Sequence, residues 1–523
     1  MVRLPTEFNV ATHFVDRHVE EGRGDKIAIL CGDARISYAD LLARTNRVGN
    51  AIRDLDVRPE ERVLLLLLDG PEFLYCFFGA IKAGAVVVPI NTLLKPEEYE
   101  YLFNDTRARV LFVGHELLPK VSAIPKERLK FLRDVVVVGE QQAGALGFDD
   151  LVSASSPDLA AAPTRADDAA FWLYSSGSTG APKGCVHLHH DMVVSTEHYA
   201  KAILKMDDRD RCYSVARLFF AYGLGNAGYF PLGVGATTIL SPRPPSPATI
   251  YANIERYRPT LFFSVPTNYA ALLSFRREPG SEFDLSSIRH AVSAGEALPA
   301  ALYERFKARF GIEILDALGS TETLHMVLSN RPGEVRPGSS GQVLPGFEAR
   351  IVDEKGSPVP RGQIGNLMVK ADSTCAGYWN HHEKTKNTFE GHWYRTGDKY
   401  HQDEDDYFWY AGRADDLFKV SGSWLSPVEV EAALVAHPSV REAAVVGRED
   451  DHRLLRPAAY VVLEPNALAS DELARQLKAW VGQRLAAYKE PRWIEFVADL
   501  PKTATGKLQR FRLREAYAAK KAD

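Results

Sequence analysis

Apolar residues in this chain come in short, dense runs separated by longer stretches of helical spacing. Residues 63–68, 86–89, 110–113, 135–138 and 261–265 are rich in Val, Leu, Ile and Phe with few polar interruptions, the pattern of strands buried on both faces. Their alternation with helical segments predicts layered sheets of largely parallel strands, an α/β fold. Residues 71–83 carry bulky side chains too densely for a surface helix and are expected to lie buried between sheets. The run 171–174 (Phe171-Trp172-Leu173-Tyr174) reads as another buried strand, entered from a small, Pro- and Ser-rich loop at 154–163.

The pattern changes after Gly412. Ser426-Pro427-Val428-Glu429 has the form of a capping box with proline at the first helical position, so a helix should start there. Residues 440–446 and 458–463 read as strands. Leu473, Leu477, Trp480, Val481 and Leu485 mark the apolar stripe of a further helix. The expected organisation is a large multi-subdomain α/β domain, 1–414, followed by a small mobile α+β domain, 415–523.

Composition narrows the class. A chain of 523 residues exceeds one ordinary core. Its 46% hydrophobic and 25% charged content place it among folded globular proteins. A net charge of −5 provides no footprint for nucleic acid or an anionic membrane. No run approaches the ~18 apolar residues of a membrane span; the strongest stops at Asp69. The N-terminus lacks the apolar core of a secretory signal. Five cysteines without a Cys-x-x-Cys pair argue against a disulfide framework and a zinc cage. The expected location is the cytoplasm. Cys185, His187, His189 and His190 form a local cluster, and strand alternation would put the first three on one face. No second ligand group stands at a recognisable spacing. The imidazoles are therefore expected to pack beside the preceding loop or cap a helix beginning near Asp191.

The strand 171–174 runs into Ser175-Ser176-Gly177-Ser178-Thr179-Gly180-Ala181-Pro182-Lys183-Gly184. Such a loop leaves backbone N–H groups and hydroxyls free to surround a polyphosphate, with Lys183 as a mobile cation. The P-loop NTPase pattern fails twice: Pro182 replaces its last glycine, and Gly184 replaces its metal-binding hydroxyl.

This segment resembles the phosphate-binding loop of the adenylate-forming enzymes, which include acyl-CoA synthetases, luciferases and peptide-synthetase adenylation domains. Further landmarks follow in that family's order: Asp316-Ala317-Leu318-Gly319-Ser320-Thr321-Glu322, Tyr394-Arg395-Thr396-Gly397-Asp398, Gly412-Arg413-Ala414-Asp415-Asp416 and Pro501-Lys502-Thr503-Ala504-Thr505-Gly506-Lys507. The resemblance spans nearly the whole chain. It implies ATP, Mg²⁺ and coenzyme A as reaction partners. Ser176, Gly177, Ser178, Thr179, Gly180 and Lys183 would hold phosphates, Thr321 the α-phosphate and Glu322 the metal. Gly295, Glu296, Ala297 and Asp316 match the adenine region. Asp398 would accept the ribose hydroxyls, with Arg413 nearby. Lys507 would serve adenylation. Asp415 would be the hinge that withdraws it and brings Gly422 to guide the thiol. Leu318 departs from the family at a position where many members stack a Tyr on adenine.

Two segments, 218–226 and 319–326, resemble aryl-CoA ligases of the benzoate type. The resemblance implies a flat slot made by Ala221 and Gly319 and lined by Tyr222, His325 and Met326. Phe219 and Phe220 are expected in the core. Met326 stands where a branched aliphatic is expected, so benzoate, hydroxybenzoate, aminobenzoate and cyclohexanecarboxylate all remain open as substrates. Loading of a carrier protein is the alternative within the class, and a non-catalytic nucleotide sensor the alternative outside it. A homodimer and acetylation of Lys507 by an acetyltransferase–deacetylase pair complete the expected partners.

Overall fold

The computed structural model describes residues 2–140, 144–175, 182–277, 282–420, 423–450, 454–502 and 508–522. Two large sheets carry most of the chain before residue 345. The first has eight strands, in the order Gly377–Tyr378, Lys183–Leu188, Ala169–Ser175, Val86–Pro89, Arg62–Leu66, Val110–Gly114, Asp134–Val138 and Leu146–Gly147. Its interior pairs are parallel, and the hairpin of Ala169–Ser175 with Lys183–Leu188 is antiparallel. The second has nine strands, with the parallel series Leu261–Ser264, His290–Ser293 and Ile314–Gly319 leading to an antiparallel return at Met326–Ser329.

The helix Pro71–Lys82 lies where its composition predicted. All of its residues except Glu72 are buried, and Phe77 packs against Phe171 of the first sheet at 5.6 Å. One continuous core joins this helix to both sheets. Lys82 ends the apolar run with a buried ammonium satisfied by Asn46 Oδ1 at 2.6 Å and by Asp16, as a buried charge requires.

A five-stranded antiparallel sheet follows, including Gly365–Lys370, Trp393–Gln402 and Phe408–Arg413. Beyond it, Val440–Glu449, Leu455–Leu463 and Trp493–Phe496 form a separate three-stranded sheet. The helices Pro427–Val435 and Asp471–Gly482 cover it around their own core. The chain is thus an α/β protein with a separate C-terminal α+β domain.

Two local readings differ from the structure. Ser426 Oγ accepts from Glu429 N at 3.3 Å, but the reciprocal half of the capping box does not form. Lys489 Nζ instead holds the Glu429 carboxylate at 2.5 and 2.7 Å. In the last stripe, Leu473, Leu477 and Val481 are buried as expected, whereas Leu485 lies past the helix end.

Candidate functional site

The hairpin register places Lys183 opposite Ser175. Ser176, Gly177, Ser178, Thr179 and Gly180 between them lie outside the described residues. Lys183 Nζ is 3.3 Å from Glu322 Oε1 and donates to the Tyr378 hydroxyl at 3.0 Å. It also sits 4.1 Å from the Tyr378 ring centroid. Tyr378 donates to the same Glu322 oxygen at 2.8 Å, and Ser175 Oγ reaches it at 3.4 Å. Burial alone would raise the Glu322 carboxyl, but the Lys183 ammonium and the Tyr378 hydroxyl outweigh it and hold the group below its ordinary value. The result is an ionised carboxylate in a buried position. Tyr378 was not among the candidate residues. Its neighbour relation arises because Gly377–Tyr378 pairs with Cys185 and Val186 at the sheet edge, which no spacing in the sequence reveals.

The turn carrying Thr321 and Glu322 is fastened from three sides. His187 Nε2 lies 2.8 Å from the Thr321 carbonyl, Cys375 N donates to that of Glu322 at 2.7 Å, and Ser373 Oγ donates to that of Thr323 at 2.9 Å. Leu324 closes the turn with φ +64°, a left-handed conformation that a branched side chain adopts only where its surroundings enforce it.

Asp398 and Arg413 face each other across paired strands, with Arg413 Nη1 at 3.2 Å from Asp398 Oδ1 and at 3.1 Å from the Thr396 carbonyl. In the stretch expected to meet adenine, Gly295 has φ +91°. Asp316 is buried, and burial pushes its carboxyl well up; one of its oxygens accepts from Leu298 N at 3.3 Å. Lys507 and Gly422 lie outside the described residues. Leu508, which follows Lys507, donates its N–H to Glu296 Oε1 at 2.9 Å. Leu508 is thus tied to Glu296 in the Gly295-Glu296-Ala297 stretch. Next to Asp415, Asp416 is held by Arg510 at 3.3 Å and by Arg514 at 3.1 Å.

Ala221 and Tyr222 open the short helix Ala221–Leu224. The Tyr222 hydroxyl lies 3.2 Å from the carbonyls of both Ser264 and Val292. His325 is buried against Tyr222, Tyr199 and Phe230, at ring separations of 5.8, 5.3 and 4.4 Å. Its Nε2 is 3.2 Å from Asn226 Oδ1, and burial pushes its imidazole down to about 3. His325 is therefore a neutral ring. Gly225 makes room for it: a Cβ there would stand 2.4 Å from the His325 ring.

Gly319 has a different reason to be glycine from the one expected. A Cβ there would meet the His325 carbonyl oxygen at 2.6 Å and Met326 N at 3.0 Å. It serves the close approach of the strand bearing Met326, with which it pairs. Met326 is buried, and Phe219 sits in the core as expected, with Phe220 packed against it. Asn226 belongs to the motif but was not singled out, since nothing in the sequence ties it to position 325.

The Cys/His cluster is absorbed by the protein itself. Cys185 and His187 share the buried face, but the strand ends at Leu188 and His189 opens the helix His189–Ser195. His189 Nδ1 accepts from Val10 N at 3.0 Å, and His190 Nε2 lies 3.0 Å from the Asp372 carbonyl. Among the described residues no group of three or more His, Cys, Asp or Glu could hold a metal ion.

The description "AMP-binding enzyme" matches residues 15–379, and "AMP-binding enzyme C-terminal domain" matches residues 429–507. The chain is 47% identical to a benzoate–CoA ligase of Thauera aromatica, over 98% of this chain and 97% of that one. It is 44% identical to a 4-hydroxybenzoate–CoA/benzoate–CoA ligase of Rhodopseudomonas palustris, over 97% and 94%. Among solved structures, the anthranilate CoA ligase AuaEII in complex with anthranoyl-AMP superposes with a TM-score of 0.96 at 44% identity, covering 99% of both chains. A benzoate CoA ligase from Burkholderia xenovorans LB400 superposes with 0.90 at 44% identity, covering 97% of this chain and all of that one (100%). With both domain signatures in place over nearly its full length, this chain belongs to the AMP-binding, adenylate-forming enzyme family.

Proposed function

We propose that this enzyme activates an aromatic carboxylate with ATP and transfers it to coenzyme A. A carboxylate does not accept a thiol directly, because oxide is too poor a leaving group. In the first step a carboxylate oxygen bonds to the α-phosphorus of ATP and pyrophosphate leaves, giving an acyl-adenylate. In the second the thiol attacks the acyl carbon and AMP departs. Splitting the reaction replaces one high barrier with two lower ones.

The observation that carries this reading is the buried, ionised Glu322, held by Lys183 and Tyr378 at the mouth of the phosphate-loop hairpin. Glu322 would hold Mg²⁺, a hard cation suited to a carboxylate oxygen, and the ion would supply positive charge at the polyphosphate. Lys183 would supply a second cation to the polyphosphate. Thr321 bonds the α-phosphate, Asp398 the ribose, and Gly295, Glu296, Ala297 and Asp316 border the adenine. Lys507, delivered by the segment that Glu296 anchors through Leu508, offsets the negative charge between the two reactants. The domains divide at 414/415. Rotation about Asp415 exchanges Lys507 for Gly422, whose bare backbone lines the thiol path. The expected compartment is the cytoplasm.

The aromatic ring occupies the space beside Ala221, Tyr222, His325 and Met326. Apolar walls with few polar groups suit it, and the similar ligases act, by their names, on benzoate, hydroxybenzoate and anthranilate. The neutral His325–Asn226 pair favours a second reading, a ring bearing a hydroxyl or amino group. A panel of ATP–pyrophosphate exchange rates with benzoate, its hydroxy and amino derivatives, cyclohexanecarboxylate and short fatty acids tests both. Benzoates should lead, with the thioester forming on free coenzyme A. Preference for an aliphatic acid would overturn the pocket assignment.

A further inference from the structure

The helix Pro96–Thr106 packs Tyr99, Leu102 and Phe103 into the core on one face of the first sheet. Tyr101 and Asp105, four residues apart and so on one side of the helix, are half-buried beside that stripe. The Tyr101 hydroxyl donates to the Pro182 carbonyl at 3.0 Å. One carboxyl oxygen of Asp105 accepts from the Tyr174 hydroxyl at 2.5 Å, and the Asp105 carbonyl accepts from Trp379 Nε1 at 3.0 Å. Burial and the bond to Asp105 push the Tyr174 hydroxyl well above its ordinary value, so it remains a donor.

The three anchored residues are chain neighbours of the three groups gathered at Glu322. Tyr174 precedes Ser175, Pro182 precedes Lys183, and Trp379 follows Tyr378. Ser175, Lys183 and Tyr378 meet the same Glu322 oxygen at 3.4, 3.3 and 2.8 Å. The anchors also hold one another: Trp379 N donates to the Gly184 carbonyl at 2.9 Å, and the Trp379 ring packs on Trp172 at 4.5 Å. Burial of the apolar stripe requires none of these polar bonds, yet each falls one residue from a contact of Glu322. We propose that Tyr101 and Asp105 are positioning residues for the polyphosphate end of the site, setting the spacing of Ser175, Lys183 and Tyr378 around Glu322. The proposal rests on the reading of Lys183 and Glu322 given above. Neither residue touches a reactant. Their leverage is geometric, since a displacement of about 1 Å can cost about 100-fold.

The test separates polyphosphate from nucleoside. Dissociation constants of the full-length enzyme are measured by calorimetry with Mg²⁺ and either α,β-methylene-ATP or AMP, which lacks the outer phosphates. Tyr101→Phe keeps its ring and loses one hydrogen bond. It should weaken α,β-methylene-ATP by roughly 2–10-fold. Tyr101→Phe combined with Asp105→Ala should weaken it by about 10–100-fold, with AMP changed by less than twofold. Tyr101→Phe combined with Asp105→Asn should return to the level of Tyr101→Phe alone, because an amide oxygen still accepts from Tyr174. Binding of α,β-methylene-ATP within twofold of wild type in the folded alanine double variant would overturn the proposal, as would an equal loss of AMP or no recovery with asparagine. If that variant does not fold, Tyr101→Phe and Tyr174→Phe replace it, and binding equal to wild type in both would refute the proposal. None of these measurements involves an acid or a thiol. Failure of every carboxylic acid to support pyrophosphate exchange would count against the proposed function and leave the binding result to decide on Tyr101 and Asp105. A wild-type enzyme without affinity for α,β-methylene-ATP would overturn both.

Discussion

Removing a single oxygen, in Tyr378→Phe, tests the coupling of Lys183 and Glu322, the proposed phosphate cation and metal carboxylate. The hydroxyl donates to Glu322 Oε1 at 2.8 Å and accepts from Lys183 Nζ at 3.0 Å. The phenyl ring remains, keeping the contact of the ammonium with the ring face at 4.1 Å, and the Lys183–Glu322 pair persists at 3.3 Å. The variant therefore isolates the two bonds to charged partners. Hydrogen bonds to charged groups contribute about 1.5–3 kcal/mol, equivalent to roughly 10–150-fold in rate if the loss is felt in the transition state. Benzoate-dependent ATP–pyrophosphate exchange should fall within that range. Thioester formation from supplied benzoyl-adenylate needs no polyphosphate clamp and should change by less than about threefold. Equal losses in both half-reactions, or no loss in exchange, would refute the assignment of Tyr378 to the polyphosphate end.

Other substitutions probe other parts of the site. Glu296→Ala removes the acceptor for Leu508 N; it should slow adenylation and spare thiol transfer, as Lys507→Ala should, and the two half-reactions measured separately decide. Ala221→Val should lower kcat/KM for benzoate by ~10–200-fold while sparing short aliphatic acids; unchanged preference would mean the ring lies elsewhere. Gly319→Ala should lower the melting temperature and impair all acids alike, because its Cβ meets backbone at 2.6 Å; a clean change of acid preference in a stable variant would contradict this. Burial pushes His18 and His189 down to about 4 and His325 to about 3. Their folded values lie below the unfolded one of ~6.5, so their stabilising effect is complete above that pH. It is lost as pH falls toward 4, by up to about 1.4 kcal/mol per pH unit for each group. The raised carboxyls of Asp69 and Asp316 act in the opposite sense over this range, so each ring is followed by its own NMR titration from pH 7.5 to 4.5. A ring that titrates near its ordinary value in the folded protein would contradict the assignment.

Much of the fold was legible because strand and helix periodicity is local. The strand Val86–Pro89 has the bounds expected, and Pro71–Lys82 declared its burial by the density of its bulky residues. The motifs likewise located Lys183, Glu322, Asp398 and Arg413, which the fold brings into facing pairs. Tyr378 escaped because its partners come from a different strand and a distant turn, joined only by edge pairing. The role of Gly319 was misjudged for a geometric reason. A missing side chain was taken as space for a ring, whereas the direction of the absent Cβ, toward the His325 backbone, is fixed by a strand pairing that composition does not encode. The tie between His187 and the Thr321 carbonyl crosses 134 positions of sequence, and alternation along the strand could say only that the ring is buried.

The central claim is that an acyl-adenylate links the carboxylate to the thioester. Benzoate labelled with ¹⁸O in both carboxylate oxygens tests it directly, by mass spectrometry of the products formed with ATP and coenzyme A. Attack of the carboxylate on the α-phosphorus predicts AMP carrying one ¹⁸O and pyrophosphate carrying none. Label in phosphate or pyrophosphate, or ADP in place of AMP, would contradict the account.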